Sequence, residues 1–86
     1  MALNKEQAAV LKAFGANVRR LRFQAGLTQA KLAEWVDLEL RTVQKFEAGE
    51  INPPLTTLVR IQAALRCVWE DLLGSPKIKQ AKRARD

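Results

Sequence analysis

Arg41 and Lys45 stand four residues apart in a stretch of helical periodicity, which puts two cationic donors on one helix face. Around them the chemistry thins out quickly. The 86-residue chain has no His, no Tyr and one cysteine, Cys67, so the usual general bases, metal clusters and disulfide frameworks are missing. Nothing supplies an acid–base pair in a pocket, and no enzymatic activity, catalytic residue, cofactor, metal or small-molecule substrate is expected. What remains is charge: 15 Lys plus Arg against 9 Asp plus Glu, a formal net charge of +6, which favours a polyanionic partner.

The basic excess lies at the two ends. Residues 1–25 carry five basic side chains against Glu6, residues 26–76 carry five against seven acidic ones, and residues 77–86 carry five against Asp86. The last segment, with Ile78 as its one sizeable apolar group, cannot bury enough surface to offset ordering its backbone, and a disordered basic tail over 75–86 is expected. No stretch approaches the ~18 apolar residues that span a bilayer, and Lys5, Glu6 and Lys12 interrupt any signal-peptide core. Cys67, between Leu65 and Val68, reads as a small core side chain. A lone thiol fits a reducing compartment, so a cytoplasmic location without membrane contact is expected.

The elements that would carry Arg41 and Lys45 are short helices. Leu11, Phe14, Val18, Leu21 and Ala25 form one stripe of a first helix, with Asn4 and Gln7 spaced as a capping box and Gly26 as the stop. Gly15 inside it costs about 1 kcal/mol relative to Ala and implies either a close packing contact or a later helix start. Thr28 caps a second helix, Gln29 to Val36, with Leu32, Ala33 and Val36 on one face. A third, Glu39 to Ala48, has Leu40, Val43 and Phe46 at helical spacing and ends on Gly49. After the Asn52, Pro53 and Pro54 turn, a fourth helix runs Leu55 to Leu65 with Leu58, Ile61 and Leu65 inward, and Trp69, Leu72 and Leu73 form a short fifth before Gly74. The fold class is all-α, five helices around one core. Two short helices joined by a tight turn, the second presenting Arg41 and Lys45, can place a helix in a DNA major groove.

Residues 14–73 resemble the Cro and phage-repressor type helix-turn-helix family. The resemblance rests on Phe14-Gly15, Val18, Leu21-Arg22, Gly26-Leu27-Thr28-Gln29, Leu32-Ala33, Thr42-Val43, Phe46-Glu47, Gly49, Asn52-Pro53, Leu58 and Ala64-Leu65. It implies a lambda-repressor-like domain over 14–74, with residues 1–13 as an N-terminal extension of the first helix and 75–86 as the tail. It further implies that Gln29 to Val36 is the positioning helix and Glu39 to Ala48 the recognition helix of a sequence-specific transcriptional regulator. Such a regulator would bind double-stranded DNA as a homodimer on an inverted-repeat operator. In that frame Gln29 meets a phosphate at a helix N-terminus, and Arg41 and Lys45 donate to guanine O6 and N7. Thr42 meets a thymine methyl or a phosphate, Leu40 meets a thymine methyl or marks a protein-facing surface, Gln44 and Asn52 meet the backbone, and Arg22 with Glu47 forms an ion pair bridging the first helix to the end of the recognition helix.

Several positions depart from the family pattern. Asp37 stands at the turn glycine, Glu39 at the recognition-helix cap, and Glu50 where a basic phosphate contact is common. Arg66 replaces the glycine that ends the fourth helix, and Gln62 a small apolar residue, so a different packing of the C-terminal part is expected. Trp69 is expected in the core; Trp35 fits core and interaction surface equally, and either, with Leu72 and Leu73, can join a homodimer seam. Trp35, Glu39, Leu40 and Glu50 also support an alternative: a protein-interaction module on the same fold, of antitoxin or bridging-factor type.

Overall fold

The computed structural model describes residues 3–74, and these form five α-helices and no strand: α1 (Lys5–Gln24), α2 (Gln29–Trp35), α3 (Leu40–Glu47), α4 (Leu55–Leu65) and α5 (Trp69–Leu73). The tail expected over 75–86 lies outside the described residues. α1 opens on the capping box: Asn4 Oδ1 accepts from the Gln7 amide at 2.8 Å, and Gln7 Oε1 accepts from the Asn4 amide at 3.0 Å. Thr28 Oγ1 likewise accepts from the Lys31 amide at the head of α2.

The ends of α1, α2 and α3 share one hydrogen-bond pattern, in which the two residues after the cap donate back to the last turn. At α3 these are Gly49 to the Phe46 carbonyl and Glu50 to the Lys45 carbonyl, both at 3.0 Å, with Gly49 at φ +73°. At α2 the left-handed position falls to Asp37, φ +57°, a residue type that tolerates it. Arg66 takes the same geometry after α4, φ +52°, so the backbone path of the missing glycine is kept at the cost of a crowded Cβ. Gln62 is explained by its Nε2, which donates to the Cys67 carbonyl and holds that turn closed.

The core is built from Phe14, Val18, Leu21, Leu32, Ala33, Val36, Val43, Phe46, Ile61, Leu65, Cys67 and Leu72. Burial pushes the Cys67 thiol up, away from the reactive thiolate. Three expected positions are corrected. Ala25 is exposed because the helix has already reached its cap there, and the inward place one turn earlier is taken by Arg22, which is buried. Leu40 opens α3 facing outward and is 42% exposed, so Val43 and Phe46 alone form its inner face. Trp69 is 40% exposed: it starts a five-residue helix whose inward place is filled by the fully buried Leu72, leaving the ring at the rim. That burial also removes Leu72 from any dimer seam. Trp35 is exposed.

α5 is tied to α1 by polar side chains. Asn17 Nδ2 donates to the carbonyls of Leu72 and Gly74 at 3.0 and 3.1 Å, and Arg20 Nη2 donates to the Asp71 carbonyl at 3.1 Å. These are the acceptors a helix C-terminus leaves without partners.

α3 is fixed to α1 by a close approach and an ion pair. A Cβ at Gly15 would collide with the carbonyl oxygens of Phe46 and Glu47, the second at 2.6 Å, so α1 passes directly over the end of α3 and the helix starts at Lys5 regardless. Two turns further along α1, Arg22 Nε donates to Glu47 Oε2 at 2.6 Å and Nη2 to Oε1 at 3.0 Å, with both side chains under one-tenth exposed. Arg22 Nη1 donates to the Leu27 carbonyl at 2.8 Å, and Gln29 Nε2 donates to Glu47 Oε1 at 3.0 Å.

Three substitutions test these devices by thermal or denaturant unfolding. Gly15→Ala raises intrinsic helix propensity by about 1 kcal/mol, yet the collision should make the protein less stable, by roughly 1–3 kcal/mol; an increase in stability would refute the close approach. Arg66→Gly should stabilise by about 0.5–1 kcal/mol, since relief of the left-handed strain exceeds the added freedom of the unfolded chain. Glu47→Ala strands a buried guanidinium and should cost about 3 kcal/mol, a shift in Tm of more than 10 °C for a domain of this size. An unchanged Tm would show that the pair carries no structural load.

Candidate nucleic-acid interface

α2, the turn Val36–Glu39 and α3 hold the residues singled out in the sequence. α3 is eight residues long, shorter than helices that persist alone in water, so its position comes from Val43 and Phe46 on its inner face and from Glu47 at its end. The Phe46 ring meets Phe14 edge-on, centroids 6.4 Å apart at 74°, which seats α3 on α1. The outer face is thereby left to polar side chains and Leu40.

On that face Arg41, Gln44 and Lys45 line one open concavity of about 320 Å³, together with Ala48 and Glu50. The ion pairs among the described residues are Arg22–Glu47 and Lys31–Glu34, so neither Arg41 nor Lys45 is tied to a carboxylate. The concavity carries two cations, one amide and one carboxylate, a lining that can donate to base edges and phosphates and accept at one corner. Leu40 stands exposed at the first turn of α3, and Thr42 is half-buried and does not line the concavity. Glu39 occupies the N-cap without a side-chain hydrogen bond, so it contributes only charge to the helix N-terminus.

Two other positions sit differently from a simple row of contacts. Gln29 is half-buried and one Nε2 hydrogen is committed to Glu47, which couples the start of α2 to the end of α3 and leaves the rest of the amide for solvent or ligand. Asn52 is exposed but lines a separate pocket of about 150 Å³ with Leu3, Gln7, Val10 and Leu11, beside the first turns of α1. The structure therefore gathers Arg41, Gln44 and Lys45 and leaves Asn52 outside their concavity. Glu50 lines it because the turn after α3 folds back on Lys45, whereas Lys12, whose stem lies against Gly49, was not identified from sequence as a neighbour; it comes near through α1 crossing the end of α3, a long-range contact without a local signal.

No group of His, Cys, Asp and Glu that could hold a metal occurs among the described residues, and no helix there is long and apolar enough to cross a membrane. The Helix-turn-helix domain family matches residues 13–73, which span α2 and α3 and most of the chain. Among solved structures the chain is similar to the restriction-modification controller protein C.AhdI from Aeromonas hydrophila. The two are 32% identical, with a TM-score of 0.68 over 72% of this chain and 94% of that one. No curated protein matches the chain in sequence. With an outward basic face on the second helix of the pair and a match that covers both helices, the chain belongs to the helix-turn-helix domain family of DNA-binding transcription regulators.

Proposed function

We propose that this protein binds duplex DNA sequence-specifically as a homodimer on an inverted repeat, with α3 in the major groove and half-sites about one helical turn apart. The observation that carries this reading is the concavity of α3, where Arg41 and Lys45 stand unpaired with carboxylates beside Gln44 on a helix whose inner face is locked. Arg41 and Lys45 read base edges, and Gln44 meets the backbone. Leu40, exposed at the first turn, and Thr42 offer apolar contact to thymine methyls. Gln29 and Asn52 hold phosphates on either side. The second copy is accommodated by α4, α5 and the turn between them, which leave Val59, Val68, Trp69 and Leu73 exposed. Likeness to a restriction-modification controller protein supports regulation of transcription as the role.

A second reading has one observation in its favour. Trp35 is 56% exposed at the end of α2, close in sequence to Glu39 and the exposed Leu40, a composition suited to a protein partner rather than to phosphate.

Selection of bound duplexes from a random library at about 0.15 M salt separates the two, because nonspecific phosphate attraction is already screened there. Enrichment of an inverted repeat is the expected result, and its spacing gives the dimer geometry. Absence of binding would transfer the function to a protein partner. On the enriched site Arg41→Ala should cost about 1–3 kcal/mol and relax preference at one base step. A uniform loss over all sequences would instead make Arg41 a phosphate contact.

A further inference from the structure

The first helix is the most basic described element, yet most of its cations are spent on the fold. Arg22 is buried in its pair with Glu47, Arg20 caps α5 through the Asp71 carbonyl, and the Arg19 guanidinium stacks on Phe23 at 5.5 Å. Lys5 and Lys12 take part in neither of the ion pairs among the described residues, and both are exposed. They are seven residues apart, two helical turns, and so lie on nearly one face.

That face is aimed by contact with the end of α3. At Gly49 an added Cβ would lie 2.8 Å from the Lys12 Cα and 3.0 Å from its Cγ, so the Lys12 stem is laid across the residue that terminates α3. The residue that follows is Glu50, exposed and acidic. When a helix enters a major groove, the segment just beyond its end faces the phosphates of the groove wall. Glu50 brings the wrong charge to that place, and the α1 cation laid against the same turn, at Gly49, is Lys12.

We propose that Lys12 is a phosphate-anchoring residue of the DNA complex, supplying from α1 the positive charge that the α3–α4 turn lacks at Glu50. The inference rests on the DNA-binding reading above, but it concerns a residue just outside the matched family segment, which begins at residue 13. Lys12 adds affinity without sequence information, since a phosphate is the same at every step. Its aliphatic stem packs on Gly49 while its ammonium reaches outward, the division of labour usual for long basic side chains. Gly49 is needed for this as well as for its φ, because any side chain there would lift Lys12 off the turn.

The test uses the full chain and the duplex enriched above, with affinity measured over a series of salt concentrations for wild type, Lys12→Gln and Glu50→Gln. Lys12→Gln keeps most of the stem, so Tm should stay unchanged, while log K against log salt should become shallower by about 0.9 and affinity at moderate salt should fall roughly 3- to 10-fold. The loss should be equal on the enriched site and on a scrambled duplex, unlike that of Arg41→Ala. Glu50→Gln should tighten binding. Wild-type binding with an unaltered slope in Lys12→Gln would overturn the anchoring role and leave the regulator reading intact. If wild type binds no duplex at any salt, the reading beneath it falls and takes the proposal with it.

Discussion

The buried contact between Arg22 and Glu47 governs where every other functional group points. Two opposite charges removed from water are tolerable only when the geometry is close and the remaining donors are used, because desolvation otherwise outweighs their attraction. Here the guanidinium gives two hydrogens to the carboxylate and one to the Leu27 carbonyl, and the carboxylate takes a further bond from Gln29. Among the described residues no buried side-chain polar atom lacks a partner. The bonds are directional, and they join α1, the turn after it, the head of α2 and the end of α3. Apolar packing alone would let α3 rotate or slide; a bidentate pair at its last residue does not.

Gly15 and Gly49 make that contact reachable. α1 must come within backbone distance of the end of α3 for Arg22 to meet Glu47, and a side chain at Gly15 would fill the gap. Gly49 then lets the chain turn away under Lys12. With the back of α3 held at its end and its inner face filled by Val43 and Phe46, its outer face is free of structural duty. Arg41, Gln44 and Lys45 can therefore serve a ligand, whereas Arg20 and Arg22 hold the frame and Gln29 gives it one donor.

Local rules made much of this legible from sequence. The capping box at Asn4, the Thr28 cap, the stops at Gly26 and Gly49 and the buried stripe of α1 from Leu11 to Leu21 all depend on residues within a few positions of one another, and each formed where its spacing placed it. The left-handed Asp37 belongs with them. Long-range facts were not legible in the same way. That α5 is capped by Asn17 and Arg20, that Trp69 sits at the rim, and that Lys12 lies on Gly49 all follow from how distant segments meet. At the site, the four-residue spacing of Arg41 and Lys45 identified their shared face, but the bond from Gln29 to Glu47 and the separation of Asn52 from that face required the assembled fold.

The same distinction changes what the net charge means. A formal +6 would treat every Lys and Arg as available to a polyanion. Within the described residues Arg22 is neutralised in the interior, Lys31 lies beside Glu34, and Arg19 and Arg20 are engaged by Phe23 and by α5. The cations left on and beside the outer face of α3 are Arg41, Lys45 and, through α1, Lys12, with Glu50 lining the concavity that Arg41 and Lys45 share. Each phosphate neutralised contributes nearly one unit of salt slope, so an interface with few such cations depends on salt far less steeply than the total charge implies. In the complex proposed above, base contacts from the outer face of α3 would carry a correspondingly larger share of the affinity.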